Sequence, residues 1–208
     1  MLQENSLAAL VAGALQCDGV EFDVRFSADG VAVIVHDETL DRLFGVPRRV
    51  CELSAIELAE IGVPTLTEVL AAMPAATLID LELKERPTDA LFTTLVAARG
   101  AGAEGVVFSS FHPSALQVVA ERAPEWSRWL NAEIAAEAEQ AVQLGCAGLS
   151  VALDLLTDER ISRWRDAGLE VAAWTLREVQ GAAWASDLRL TALCVEGEGA
   201  AAARAATR

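Results

Sequence analysis

The sequence predicts an α/β fold, a (β/α)8 barrel whose first strand is missing from the chain as given, on three observations. Short β-like runs alternate with helical stretches along all 208 residues. Such alternation calls for parallel strands joined by helical crossovers, in a closed barrel or an open sheet. The third observation is the count. Of eight strand candidates, the first two are separated only by Ser27-Ala28-Asp29-Gly30, a link that can join antiparallel neighbours only. That leaves seven parallel strands behind a leading helix, and a barrel needs one more strand ahead of it.

The leading helix is NSLAALVAGALQ (5–16), amphipathic and with Ser6 near its start. VEFDVRF (20–26) alternates strictly, and VAVIVHD (31–37) returns beside it. TLTEVLAAM (65–73) is helical and precedes the alternating TLIDLEL (77–83). Next come helix PTDALFTTLVAAR (87–99), strand GVVFSSF (105–111) and helix HPSALQVVAER (112–122). SRWLNA (127–132), GLSVAL (148–153), EVAAWTL (170–176) and TALCVEG (191–197) are the remaining strands, with helices at 133–144 and 155–168. Several helices open near Ser, Thr or Pro and close near Gly, as capped helices do. With no linker or shift of composition, residues 1–208 read as a single domain.

Composition narrows the function. A formal charge of −15 excludes a nucleic-acid role, because phosphate backbones are held mainly by Lys and Arg, and it disfavours anionic membrane surfaces. Phosphorylated small molecules stay open, since a bound cation reverses the field in one cleft. Cys17, Cys51, Cys146 and Cys194 are scattered without metal-ligand spacing, which suits reduced thiols in a cytoplasmic protein. The N-terminus lacks a basic segment and no run approaches a membrane span, so no membrane insertion is expected. Oligomeric state is not legible.

The chemistry concentrates in GVEFDVRFSADGVAVIVHDETLDR (19–42). Period two puts Val20, Phe22 and Val24 on one face and Glu21, Asp23 and Arg25 on the other. Two strand carboxylates roughly 7 Å apart are either ordinary solvent-facing acids or a site for a divalent cation. Oxygen-only ligands suit Ca2+ or Mg2+. His36, one of two histidines, returns toward the acids on the hairpin and is a credible general acid or base. His112 opens a helix and has no evident partner.

LIDLELKE repeats the pattern, with Asp80, Glu82 and Lys84 on one face. Lys84 is the only lysine of the chain, which is either chance at a strand end or a need for a compact ammonium against a phosphoryl oxygen. Trp174 lies near the C-terminal end of its strand, where barrel enzymes place their sites. Trp126, Trp129, Trp164 and Trp184 read as packing residues.

Together these segments resemble the glycerophosphodiester phosphodiesterase family. QENSLAAL is similar to PENTLAAF, GVEFDVRFSADGVAVIVHDETLDR to the IE-D and DG-VVVHD-TLDRTT stretches, VPTLTEVL to IPTLEEVL, LIDLELK to the EIK strand, VFSSFHPSAL to the SSF strand, and VAAWTLRE to the WTVN strand. The resemblance covers nearly the whole chain in the family's order. It implies a TIM-type barrel in which Glu21, Asp23 and Glu82 bind Ca2+ or Mg2+ and Lys84 and Trp174 contact substrate. It also implies that His36 handles protons while a glycerophosphodiester is split into glycerol 3-phosphate and an alcohol. The chain departs from the family in lacking the HRG strand, with its second histidine, ahead of Gln3. It also has Arg177 in place of the Asn of WTVN, and TALCVEGEG in place of an IITD-P strand. The segment from His36 to VPTLTEVL is short, so any capping insertion over the substrate must be small. The missing strand fits either a start assigned too late or a catalytically impaired barrel that binds a phosphorylated ligand or metal. A Mg2+-dependent enolising barrel would need a further strand-end acid, which SSFHPS does not offer.

Overall fold

The computed structural model describes residues 2–135, 139–178 and 182–206. It divides into two compact units, one ending at Trp126 and one beginning at Ser127.

In the first unit, helix α1 (Leu7–Ala14) starts at Ser6, whose hydroxyl accepts from the Ala9 N–H. Strand β1 (Gly19–Phe26) then pairs antiparallel with β2 (Ala32–Ile34), Val24 opposite Ile34 and Phe26 opposite Ala32. The hairpin turns where Gly30 takes φ +78°, a conformation glycine reaches without a Cβ penalty. Pairing ends at Ile34, so β2 is shorter than the expected 31–37. Beyond it, the Val35 N–H donates to the Asp23 carbonyl and fastens the approach to His36.

A small module follows that the periodicity did not announce: β3 (Thr39–Leu40), α2 (Asp41–Phe44), β4 (Val46–Arg49) and α3 (Ala55–Ile61). Val33, Val35, Leu40, Val50, Leu53, Leu58 and Val63 form its own buried cluster. Its helix did carry a sequence signal. Ser54 and Glu57 form a reciprocal capping box, and Gly62 closes the helix at φ +104°.

Helix α4 (Leu66–Ala72) carries the same capping box, Thr65 with Glu68. It leads to β5 (Leu78–Leu83), α5 (Asp89–Arg99), β6 (Val106–Ser110) and α6 (Pro113–Arg122). The strand order is β6-β5-β1-β2, with β1, β5 and β6 parallel. Phe22, Val24, Leu81, Leu83 and Phe108 pack with Leu10, Val69, Leu91, Leu95 and Val119 of the helices. The ring of Trp126 stacks on Phe108 at 5.0 Å and on Phe92 at 5.4 Å. One face of the sheet is therefore mainly apolar, which leaves the alternate residues of β1 and β5 for the opposite face.

The second unit holds four strands in the order β10-β9-β8-β7, all parallel: β7 (Ser127–Ala132), β8 (Gly148–Ala152), β9 (Glu170–Leu176) and β10 (Ala192–Val195). Gly148 is required because a Cβ there would lie 2.7 Å from the Trp129 indole nitrogen and 2.8 Å from the Glu170 carbonyl. That indole donates to the Glu170 carboxylate at 2.9 Å. Of the helix expected over 133–144, Gln140–Gln143 is a separate helical turn, and 136–138 lie outside the described residues.

Candidate functional site

Parallel pairing of β1 with β5 sets Glu21 beside Asp80 and Asp23 beside Glu82. Four acids thus share one face of two adjacent strands. Glu21, Asp23 and Glu82 each bring a carboxylate oxygen within 4.8 Å of the others.

Electrostatics shows the cost of this crowding. Burial foremost, and then the charges of Asp23, Asp80 and Glu82, hold the Glu21 carboxyl well above the usual range against the opposing pull of Lys84. Burial also raises Glu82, with Lys84 opposing. Asp80 is pushed up to about 7, chiefly by burial, although the nearby Ser109 hydroxyl works the other way. One of its oxygens, Oδ1, has no partner.

Lys84 is the counter-charge. Its side chain is 12% exposed, and Nζ lies 3.3 Å from Asp23 Oδ1, donates to Glu82 and sits 5.9 Å from the centre of the Phe111 ring. Burial alone would lower its pKa, but the Asp23 and Glu82 carboxylates outweigh that and raise it. One ammonium among four carboxyls leaves an excess of negative charge. A three-carboxylate, oxygen-only donor set in that field fits a hard divalent cation.

His36 sits at the exposed edge of this cluster, its side chain 52% exposed. Nδ1 lies 2.7 Å from Asp37 Oδ1, and the Asp37 carboxylate accepts from Arg42 at 2.6 and 3.1 Å. Arg42 in turn donates to Glu4. The Arg42 hydrogen bond leads in holding the Asp37 carboxyl down at about 2, so Asp37 stays ionised. A carboxylate at Nδ1 favours the tautomer with its proton there and turns Nε2 to proton exchange. Arg25, on the acidic face of β1, donates to the His36 carbonyl at 2.8 Å. A charged His36 ring favours ionised Glu82, so the imidazole and the acids share one field.

Of the residues singled out from sequence, Glu21, Asp23, Glu82, Lys84 and His36 are brought together in the first unit. Trp174 belongs to the second, on β9, where its indole donates to the Ser150 carbonyl at 3.2 Å. Sequence reasoning assigned no role to Asn5, Asp37, Arg42 or Phe111. For Asp37 and Arg42 a signal existed, in the dense charge of HDETLDR just after the hairpin.

Fold and site define the class: an α/β protein with carboxylates, an ammonium and an imidazole gathered on the polar face of parallel strands. The chain belongs to the glycerophosphoryl diester phosphodiesterase family, whose model matches residues 1–197. A phosphodiesterase from Oleispira antarctica, solved with the product sn-glycerol-3-phosphate, is 26% identical, with a TM-score of 0.80 over 98% of this chain and 91% of that one. A structure from Galdieria sulphuraria is 20% identical, with a TM-score of 0.86 over 100% of this chain and 93% of its own. Such relatives are TIM-type barrels, and this chain takes the same α/β fold. Bovine glycerophosphodiester phosphodiesterase 1 is 33% identical over 33% of this chain. The chain spans only 25% of the length of that relative.

Proposed function

We propose that this chain hydrolyses glycerophosphodiesters to glycerol 3-phosphate and an alcohol, using a divalent cation held by Glu21, Asp23 and Glu82. The observation that carries the proposal is the convergence of those three carboxylates within 4.8 Å of one another. Family membership supports the same reaction class, and the product bound by the Oleispira antarctica relative supports glycerol phosphate as one of its halves. The oxygen-only donors support Ca2+ or Mg2+. The family match, which runs through both units, supports a single domain over 1–208. Cysteines scattered without metal-ligand spacing support a cytoplasmic location, and no described helix is long and apolar enough to cross a membrane.

Glu21, Asp23 and Glu82 would hold the cation, which would supply Lewis-acid polarisation of the phosphoryl group and offset charge developing on its oxygens. Lys84 supplies a compact positive charge to a nonbridging oxygen and holds the phosphate against the acids. Hydrolysis forms a bond from a water oxygen to phosphorus and breaks the bond from phosphorus to the alcohol oxygen; the attacking water loses a proton and the departing alcohol oxygen gains one. His36, through Nε2, serves one of these transfers, and Asp37 steadies the charged ring. Trp174 takes the role of a substrate contact.

The test is release of glycerol 3-phosphate from glycerophosphocholine by the purified chain, with Mg2+ or Ca2+ and with chelator. Cation-dependent release is expected, with Glu82→Gln abolishing the stimulation and His36→Gln lowering kcat about 10²- to 10⁴-fold. Release unchanged by chelator would remove the cation from the proposal. Cation binding with no product would favour the binding-only reading.

A further inference from the structure

The segment Gln3-Glu4-Asn5-Ser6 has no part in the reaction outlined above, yet Asn5 reaches the acidic cluster. Its side-chain Nδ2 donates to Asp23 Oδ2 at 2.7 Å, and the Asp23 N–H donates to Asn5 Oδ1 at 3.1 Å. One amide therefore grips both the carboxylate and the backbone of the same residue. The other carboxylate oxygen, Oδ1, is left turned to Lys84 at 3.3 Å.

The backbone makes this grip possible. Asn5 takes φ +56°, in the left-handed region that Asn enters more readily than other non-glycine residues. Its neighbours anchor the turn on both sides: the Ser6 hydroxyl caps α1 and Glu4 pairs with Arg42. Asp23 is buried, with 9% of its side chain exposed. A donor aimed at one of its oxygens consequently decides which oxygen a ligand meets, as partners of metal-binding carboxylates do.

We infer that Asn5 is a positioning residue that locks the Asp23 carboxylate by Oδ2 and presents Oδ1 alone to the cation. The inference rests on the reading of Glu21, Asp23 and Glu82 as cation ligands. Asn5→Gly keeps the left-handed backbone accessible while removing the amide, and Asn5→Ser shortens the side chain below the reach of both bonds. Ser6→Gly, which loosens the same turn without touching Asp23, is the control.

The experiment is calorimetric titration of the full chain and these variants with Mg2+ and with Ca2+, alongside kcat measured over a range of cation concentration. Both Asn5 variants are expected to bind cation about 10- to 100-fold more weakly, with kcat recovering at saturating cation and Ser6→Gly within twofold of the parent. Equal weakening in Ser6→Gly would reduce Asn5 to a structural tie and overturn the inference. Cation binding by the parent chain that both Asn5 variants keep within twofold would overturn it alone. A parent chain that takes up no cation overturns the ligand reading, and this inference falls with it.

Discussion

Lys84 shows how a single residue reconciles a sequence with its electrostatics. A 12%-exposed ammonium is costly to desolvate by itself, but between Asp23 and Glu82 it relieves repulsion that would otherwise push protons onto the carboxyls. Asp37 works in the opposite sense. Its folded pKa of about 2 lies below the ordinary 3.8, Arg42 being the main cause. A depressed carboxyl contributes stability above its unfolded pKa and loses it as pH falls through the folded one. Allowing for solvent screening of the half-exposed Arg42, Asp37→Asn is therefore expected to cost about 1 kcal/mol at pH 6, with the deficit shrinking between about pH 4 and pH 2. Urea unfolding of both proteins across that range measures it, and a pH-independent deficit would contradict the assignment.

At the scale of elements, the strands were the most legible part. Strict alternation in VEFDVRF and LIDLEL is a direct imprint of one apolar and one polar face, and β1 and β5 follow it, with Phe22, Val24, Leu81 and Leu83 buried. The module between β2 and α4 was not legible, because its strands and first helix run only two to four residues and periodicity needs a longer window. Helix α3 is the instructive miss. Its capping box was visible in S-A-I-E, but Ile56 is 74% exposed, so no clean amphipathic stripe accompanied the cap. Helix α4 offers the clearest test of such caps. Thr65 accepts from the Glu68 N–H while the Glu68 carboxylate accepts from Thr65 in return. Thr65→Ala is expected to cost about 1 kcal/mol, read as a lower urea midpoint at unchanged slope.

At the scale of the whole molecule, ligand and fold are linked. If three carboxylates converge only in the folded chain, a cation that binds there stabilises that state by mass action. At a hundred times its Kd the gain is about 2.7 kcal/mol. The melting temperature is expected to rise with added Mg2+ or Ca2+ in the parent chain and to stay flat in Glu82→Gln. A rise of equal size in both would place the bound cation elsewhere.

By itself the sequence determined the α/β class, the positions of the longer strands, and the residues of β1 and β5 that carry acids. These follow from periodicities of two and 3.6, which each segment expresses locally. Only the tertiary structure decided which acids meet. The register of β1 on β5 puts Asp23 level with Glu82, and a one-residue slip would have sent one set to the opposite face. Tertiary structure alone also brought Asn5 to Asp23 across 18 positions and Arg42 to Glu4 across 38. Contacts between distant segments depend on how helices and hairpins pack on the sheet, and no local pattern records that.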